Sequence, residues 1–180
     1  MDSLVSQDLV VLLDDAGQSI GTAPKTDVHH GSTPLHLAFS CYLFDGAGRV
    51  LLTRRALHKG TFPGVWTNSF CGHPSPGETL DDAVVRRARQ ELGVTVEDLR
   101  CVLPDFRYRA VDAAGVLENE ICPVFCGRAL GPVTADPEEV MDCAWVPWDQ
   151  LLAAAQFGWA LSPWAMEQIP LLDTAGVGRG

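Results

Sequence analysis

The chain has 180 residues, 47% of them hydrophobic and 20% charged, a balance that suits one soluble domain able to bury a core. Its formal net charge of −10 leaves no basic field to draw nucleic acid or an anionic membrane surface, so any phosphate must be met by basic residues gathered in a pocket. No window approaches the roughly 18 apolar residues of a membrane span. The opening MDSLVSQDLVVLLDDAG has neither the positive n-region nor the apolar run of a leader, so a cytoplasmic protein is expected.

In chain order, LVVLLDDAGQSIG reads as a strand, a D-A-G turn and a second short strand. HLAFSCYLFDGAGRVLLTRRA reads as a hairpin: Leu37, Phe39, Cys41 and Leu43 alternate with Ala38, Ser40, Tyr42 and Phe44 before Asp45-Gly46-Ala47-Gly48 turns the chain. TNSFCGHPSPGE follows, a loop bent by glycine and proline that displays Cys71 and His73 side by side. GETLDDAVVRRARQELGV predicts a helix, because Leu80, Ala83, Val84, Ala88 and Leu92 recur at helical spacing, acids fill the first turn and Gly93 supplies the stop. Strands are predicted over 99–103, 106–111, 120–128 and 143–147. A second helix is predicted in WDQLLAAAQF, a third short one after SPW, and a frayed tail over 171–180. Nothing marks the six cysteines for export, so most are read as small buried hydrophobes, the Cys122–Cys126 pair included. The pattern describes one α+β domain over 1–180, a mixed sheet with helices packed on it.

From Gly72 the spacing is G-x5-E-x7-R through Glu78 and Arg86, continuing RARQELGV. This resembles the box of the Nudix family, whose loop–helix–loop holds divalent metal against a diphosphate. The match is incomplete: Arg87 and Gln90 stand where that family places glutamates, and Glu91 alone keeps the position of the last metal-binding carboxylate. HLAFS, TRRAL, PGVWTNSFCGHP, PDFRYRA, ENEICPVF, EEVMD and WALSPW, in that order over about 10–164, resemble the type 1 isopentenyl-diphosphate isomerases. That resemblance implies a Nudix-like mixed sheet packed between helices, with a Nudix core over about 34–150. It also implies interconversion of isopentenyl and dimethylallyl diphosphate, a small-molecule diphosphate substrate and no flavin. A glycine fingerprint for a dinucleotide is also missing from the sequence. A monomer or small homo-oligomer is expected.

Moving an unactivated double bond by acid catalysis means protonating one carbon, passing a tertiary cation and deprotonating another. That takes an acid and a base on opposite faces of a flat substrate, within dry, electron-rich walls. The resemblance gives the proton-transfer roles to Cys71 and Glu120. Taken alone, a cysteine is more often packing and ENE an acidic strand start in solvent. On a strand, Glu118 and Glu120 point to one face and can meet one ion. The resemblance adds His29, His36 and His73 to that ion, with His30 a possible substitute for His29. Such a mixed N and O set suits manganese, magnesium or zinc. Lys25, Arg55, Lys59 and Arg87 correspond to diphosphate-facing positions, with Arg54 the alternative to Arg55. Glu91, one helical turn past Arg87, is placed to hold Mg²⁺ at the phosphates; the bland alternative is a surface Arg87–Glu91 pair. Trp164 matches a wall over the cation. Tyr108 could assist proton transfer near Glu120, and Trp66 is a further candidate wall. Trp145, Trp148 and Trp159 are read as core and His58 as surface. Two rival readings stand: a Nudix diphosphate hydrolase, and a non-catalytic diphosphate-binding Nudix module.

Overall fold

The computed structural model describes residues 8–178, so the expectation about a leader lies partly outside the described residues. The elements in order are β1 (Leu9–Leu13), β2 (Ser19–Pro24), α1 (Lys25–Val28), β3 (His36–Leu37), β4 (Phe39–Phe44) and β5 (Arg49–Arg55). There follow β6 (Trp66–Thr67), β7 (Phe70–Gly72), α2 (Leu80–Leu92), β8 (Thr95–Leu103), β9 (Arg107–Val111) and β10 (Leu117–Ile121). The last are β11 (Val124–Leu130), β12 (Val140–Pro147), α3 (Trp148–Ala154) and α4 (Pro163–Thr174). Aspartate makes the hairpin turns: Asp14 Oδ1 accepts from the Ala16 and Gln18 amides, and Asp45 Oδ1 from those of Ala47 and Arg49.

The strands form two sheets. One is ordered β2-β1-β3-β10-β9; the other is β12-β5-β4-β11-β8, with β6 on β5 and β7 on β4. Two chain segments pass from the first sheet to the second. One crosses between β3 and β4 at Ala38, the other between β10 and β11 at Cys122-Pro123, and they run parallel in both sheets. The single strand predicted over 120–128 is therefore two strands. Pro123 has no N–H to continue a ladder, and the Cys122 amide bonds the Phe106 carbonyl at 2.8 Å instead.

The alternation along β4 sorts side chains between two layers. Phe39, Cys41 and Leu43 pack against Ala83, Val84, Ala88 and Leu92 of α2. Tyr42 joins Leu151, Trp164, Ile169 and Leu172 of α3 and α4 on the other side. The second sheet thus lies between helices, as the sequence predicts. Thr79 caps α2 by accepting from the Asp82 amide at 3.2 Å, and Gly93 ends it at φ 67°.

The C-terminal expectation fails. α4 has 12 residues, capped by Ser162, and the chain stays in place through Gly178. Val177 is buried with its amide on the Leu172 carbonyl at 3.0 Å, so an apolar anchor holds the segment that was expected to fray; residues 179–180 lie outside the description. Trp148 packs in the core as expected, but Trp159 is 85% exposed on the α3–α4 connection beside Phe157. Among the described cysteines, Cys41, Cys122 and Cys126 are buried, Cys71 is half-buried, and Cys101 and Cys143 are exposed.

Candidate active site and metal centre

The seam between the sheets builds the site by register. Parallel pairing sets His36 of β3 opposite Glu120 of β10, and antiparallel pairing sets Tyr108 of β9 opposite Glu120 on the other side. Glu118, two residues back along β10, shares the buried face. His29, just past α1, and His73, just past β7, close on the same point. Glu120 Oε1 lies 3.3 Å from His36 Nε2 and 3.2 Å from His73 Nε2, and Glu118 Oε2 lies 3.4 Å from His29 Nε2. One ligand atom from each of His29, His36, His73 and Glu120 falls within 4.8 Å of every other.

Two observations test whether this cluster fits a metal. His36 Nδ1 sits 2.9 Å from the Pro34 carbonyl, which takes an N–H and leaves Nε2 as the lone-pair nitrogen. That Nε2 and Glu118 Oε2 are buried without a hydrogen-bond partner, a cost that a bound cation would remove. Imidazole nitrogen and carboxylate oxygen together suit a divalent ion. With only protein groups present, the pull is mutual. Burial pushes Glu120 up, but the close contacts and charges of His36 and His73 outweigh it and hold Glu120 well below the usual carboxylate range. Burial likewise lowers His73, while at His36 the Glu120 contact overcomes burial and raises it.

Cys71 sits in β7, paired antiparallel with β4 opposite Ser40, where the sequence reading expected a loop. Its Sγ lies 3.4 Å from Ser40 Oγ and 3.4 Å from Asn68 Oδ1. Burial, seconded by the Glu120 charge, raises this thiol to about 11, so it carries its proton at neutral pH. Gly72 is required beside it: a Cβ there would fall 2.8 Å from Phe39 Cζ and 3.0 Å from Arg87 Cγ.

Cys71, Glu120, Tyr108 and Trp164 line one cavity of about 670 Å³, and so do Lys25, Arg55, Lys59 and Arg87. The cavity thus combines a thiol, carboxylates, aromatic side chains and four basic side chains. Arg55 donates to the carbonyls of Thr61 and Phe62, and its guanidinium carbon stands 5.6 Å from the Trp164 ring centroid. Arg87 bonds both Glu91 and Glu139, and Lys59 bonds Glu139. Burial and the charges of Arg87 and Lys59 lower Lys25. Glu91 is buried beneath Arg87 rather than on the cavity wall.

Other placements differ from the sequence reading. Trp66 does not line the cavity; it is half-buried opposite Arg54, and its carbonyl accepts from the Ser162 amide at 2.8 Å. Arg54 is turned away and donates to the Gly64 carbonyl, so Arg55 is the arginine at the cavity. His30 bonds Ser32, leaving His29 in the cluster. His58 is exposed as expected, yet it lines the cavity mouth beside Glu138. Glu139 and Asn68 carried no role in the sequence reading. EEVMD pointed to the first without a function, and TNSFCGHP enclosed the second without singling it out.

A NUDIX domain profile matches residues 34–165. An isopentenyl-diphosphate Delta-isomerase of Mycolicibacterium vanbaalenii is 73% identical over 172 residues, 96% of this chain and 95% of that protein. The chain belongs to the isopentenyl-diphosphate Delta-isomerase family. A second such isomerase, from Clavibacter sepedonicus, is 63% identical over 92% of this chain and 87% of its own length. Solved structures agree on the Nudix fold of this isomerase family member. A Deinococcus radiodurans protein superposes with TM-score 0.70 at 20% identity, covering 91% of this chain and 98% of that one. A MutT protein of Methanosarcina mazei gives 0.63 at 20% identity, covering 79% and 96%. The matched region extends past 150 to residue 165, so the match reaches further than the core of about 34–150 expected from the sequence.

Proposed function

We propose that this chain interconverts isopentenyl and dimethylallyl diphosphate, with Cys71 and Glu120 as the two proton carriers. The observation that carries this reading is that a thiol and a carboxylate share one cavity with an aromatic wall and four basic side chains. Lys25, Arg55, Lys59 and Arg87 hold the diphosphate, and binding there anchors the hydrocarbon end against Cys71, Tyr108 and Trp164. One carrier gives a proton to the terminal carbon of the alkene. The tertiary cation faces the Trp164 indole, and the other carrier removes a proton from the carbon next to the cation, which restores a double bond. The reverse reaction exchanges the roles. Tyr108, opposite Glu120 in the β9–β10 pairing and on the cavity wall, is the residue whose hydroxyl would assist that carboxylate.

His29, His36, His73, Glu118 and Glu120 would hold one divalent ion, of which manganese, magnesium and zinc all fit the donor set. Such an ion would supply positive charge that fixes Glu120 and tunes its proton affinity. Glu91, which Arg87 covers, would hold Mg²⁺ at the diphosphate once Arg87 turns to the phosphates. No flavin enters this scheme. Two continuous segments shared by both sheets favour one domain, and six free thiols suit a reducing cytoplasm.

A hydrolase is the rival, and the helix argues against it. Arg86 takes Glu78 and Gln90, and Arg87 takes Glu91, so α2 presents guanidinium where water activation needs carboxylate. Incubation of isopentenyl diphosphate with Mg²⁺ in D₂O, followed by NMR, tests both. The expected result is dimethylallyl diphosphate with deuterium at the exchanging positions and no phosphate release. Cys71→Ser and Glu120→Gln should each lower the rate by about 10²–10⁴-fold. Full activity in either variant, or phosphate release by the wild type, overturns the reading.

A further inference from the structure

The amide of Asn68 is completely buried between the two groups that the proposed reaction depends on. Its orientation is fixed from both ends. Nδ2 donates to the carbonyls of Phe70 and Cys41 at 2.6 and 3.0 Å, and only a nitrogen can serve two carbonyl oxygens. Oδ1 accepts from Trp164 Nε1–H at 2.9 Å, and an indole N–H has no other role than donor. The same Oδ1 accepts from the Thr67 hydroxyl at 2.7 Å and from the Cys71 thiol at 3.4 Å. A second chain meets the sulfur from the far side. Tyr42 donates to Gln168 Oε1 at 2.9 Å, and Gln168 Nε2 donates to Ser40 Oγ at 3.0 Å. The Ser40 proton is then left for a sulfur, that of Cys71 at 3.4 Å or of Cys122 at 3.3 Å.

We infer that Asn68 is the positioning residue of the site: its one carbonyl oxygen aims the Cys71 thiol and locks the Trp164 indole together. The inference rests on the isomerase reading, in which those two groups act on the same substrate. Tying both to one atom sets the separation between the acid and the cation wall. Such an arrangement matters to a reaction whose rate depends on placement within about an ångström. Asn68 itself does not line the cavity, so it acts only through these neighbours.

Asn68→Asp keeps the shape but puts an oxygen against the carbonyls of Cys41 and Phe70, so the side chain can no longer keep its hold. The expected result is a kcat about 10²-fold lower with KM and the Mg²⁺ requirement unchanged, because the cations are untouched. The wild type offers a check that needs no folded variant. Its Cys71 S–H infrared band, identified by its loss in Cys71→Ser, should lie at the lowered frequency of a thiol bonded to a carbonyl. A band at the free-thiol frequency overturns the inference, and so does a folded Asn68→Asp with wild-type kcat, or one whose loss appears in KM alone. If Asn68→Asp does not fold, the band decides. Full turnover in Cys71→Ser instead removes Cys71 as a proton carrier, and a wild type that forms no dimethylallyl diphosphate removes the isomerase reading beneath it, which separates the failures.

Discussion

Replacing Trp164 separates what the indole does for folding from what it does for turnover. The ring is 2% exposed, with its centroid 5.3 Å from Phe62 and 5.5 Å from Tyr108. Trp164→Ala empties that slot, a change that costs about 3–5 kcal/mol of stability in a domain that holds roughly 5–15 in all. Trp164→Phe keeps a ring and gives up mainly the bond to Asn68, worth about 1 kcal/mol. A desolvated indole face stabilises a cation by about 2 kcal/mol. At about 1.4 kcal/mol per decade, losing it lowers kcat about 30-fold, and a phenyl ring that keeps half the effect loses about fivefold. Arg55 already stands beside the ring, so the diphosphate must neutralise that guanidinium before the indole can favour a second cation. An analogue with an ammonium in place of the cationic carbon should therefore bind tightly only when it also carries a diphosphate. The assays are isomerisation followed by NMR, thermal melting of each variant, and calorimetry with the analogue and its diphosphate-free counterpart. Equal affinity of the full analogue for wild type and Trp164→Phe, both folded, would remove Trp164 from the mechanism.

His73→Ala, purified without added metal, should lose a divalent ion that the wild type retains by elemental analysis; retention of the ion would refute the cluster as its site. Glu91→Gln should keep that ion but require more Mg²⁺ for activity, and an unchanged requirement would dismiss Glu91 as the second site. Gly72→Ala should lower the melting temperature as well as kcat, because its Cβ meets Phe39 and Arg87 and such overpacking costs about 1–3 kcal/mol; an unshifted melting curve would contradict the contact. Burial pushes Glu139 up, yet Lys59 and Arg87 hold it at about 2 in the folded protein, against an ordinary 4.5. A lowered folded value stabilises above the ordinary one, so this contribution is complete above about pH 4.5 and fades as pH falls toward 2. Urea melts of wild type and Glu139→Gln should thus converge in that window, and a constant gap between them would contradict the pairing.

Much of this was legible because it was periodic. The alternation in β4 and the spacing of Leu80, Ala83, Val84, Ala88 and Leu92 in α2 each imply one buried face, and those faces meet. The spacing of Glu118 and Glu120 likewise implied a shared face on a strand. What periodicity cannot show is where a strand changes sheets. Pro123 was the visible signal, but ICPVF remains apolar on both sides of it, so hydrophobicity alone reads straight through. Trp66 and Trp159 failed for a similar reason. Composition says that a tryptophan tends inward, while its neighbours in the fold decide whether it reaches a cavity, a core or solvent. The tail failed because Val177 is a single apolar residue among glycines, too little pattern to predict an anchor.

The two strand crossings also account for how a Nudix fold could leave hydrolysis. In α2 the carboxylates that would activate water are replaced by Arg87 and Gln90, and both are engaged within the helix, by Glu91 and Arg86. Glu118 and Glu120 lie on β10 rather than α2. They reach the cavity because β10 ends at the seam, beside the β3 histidine and across from the β9 tyrosine. Cys71 reaches it because β7 pairs with β4 just beyond the other crossing. A thiol from one sheet and a carboxylate from the other therefore border the same cavity. On the proposed reading the chemistry sits at the seam, because the seam offers both groups to one substrate.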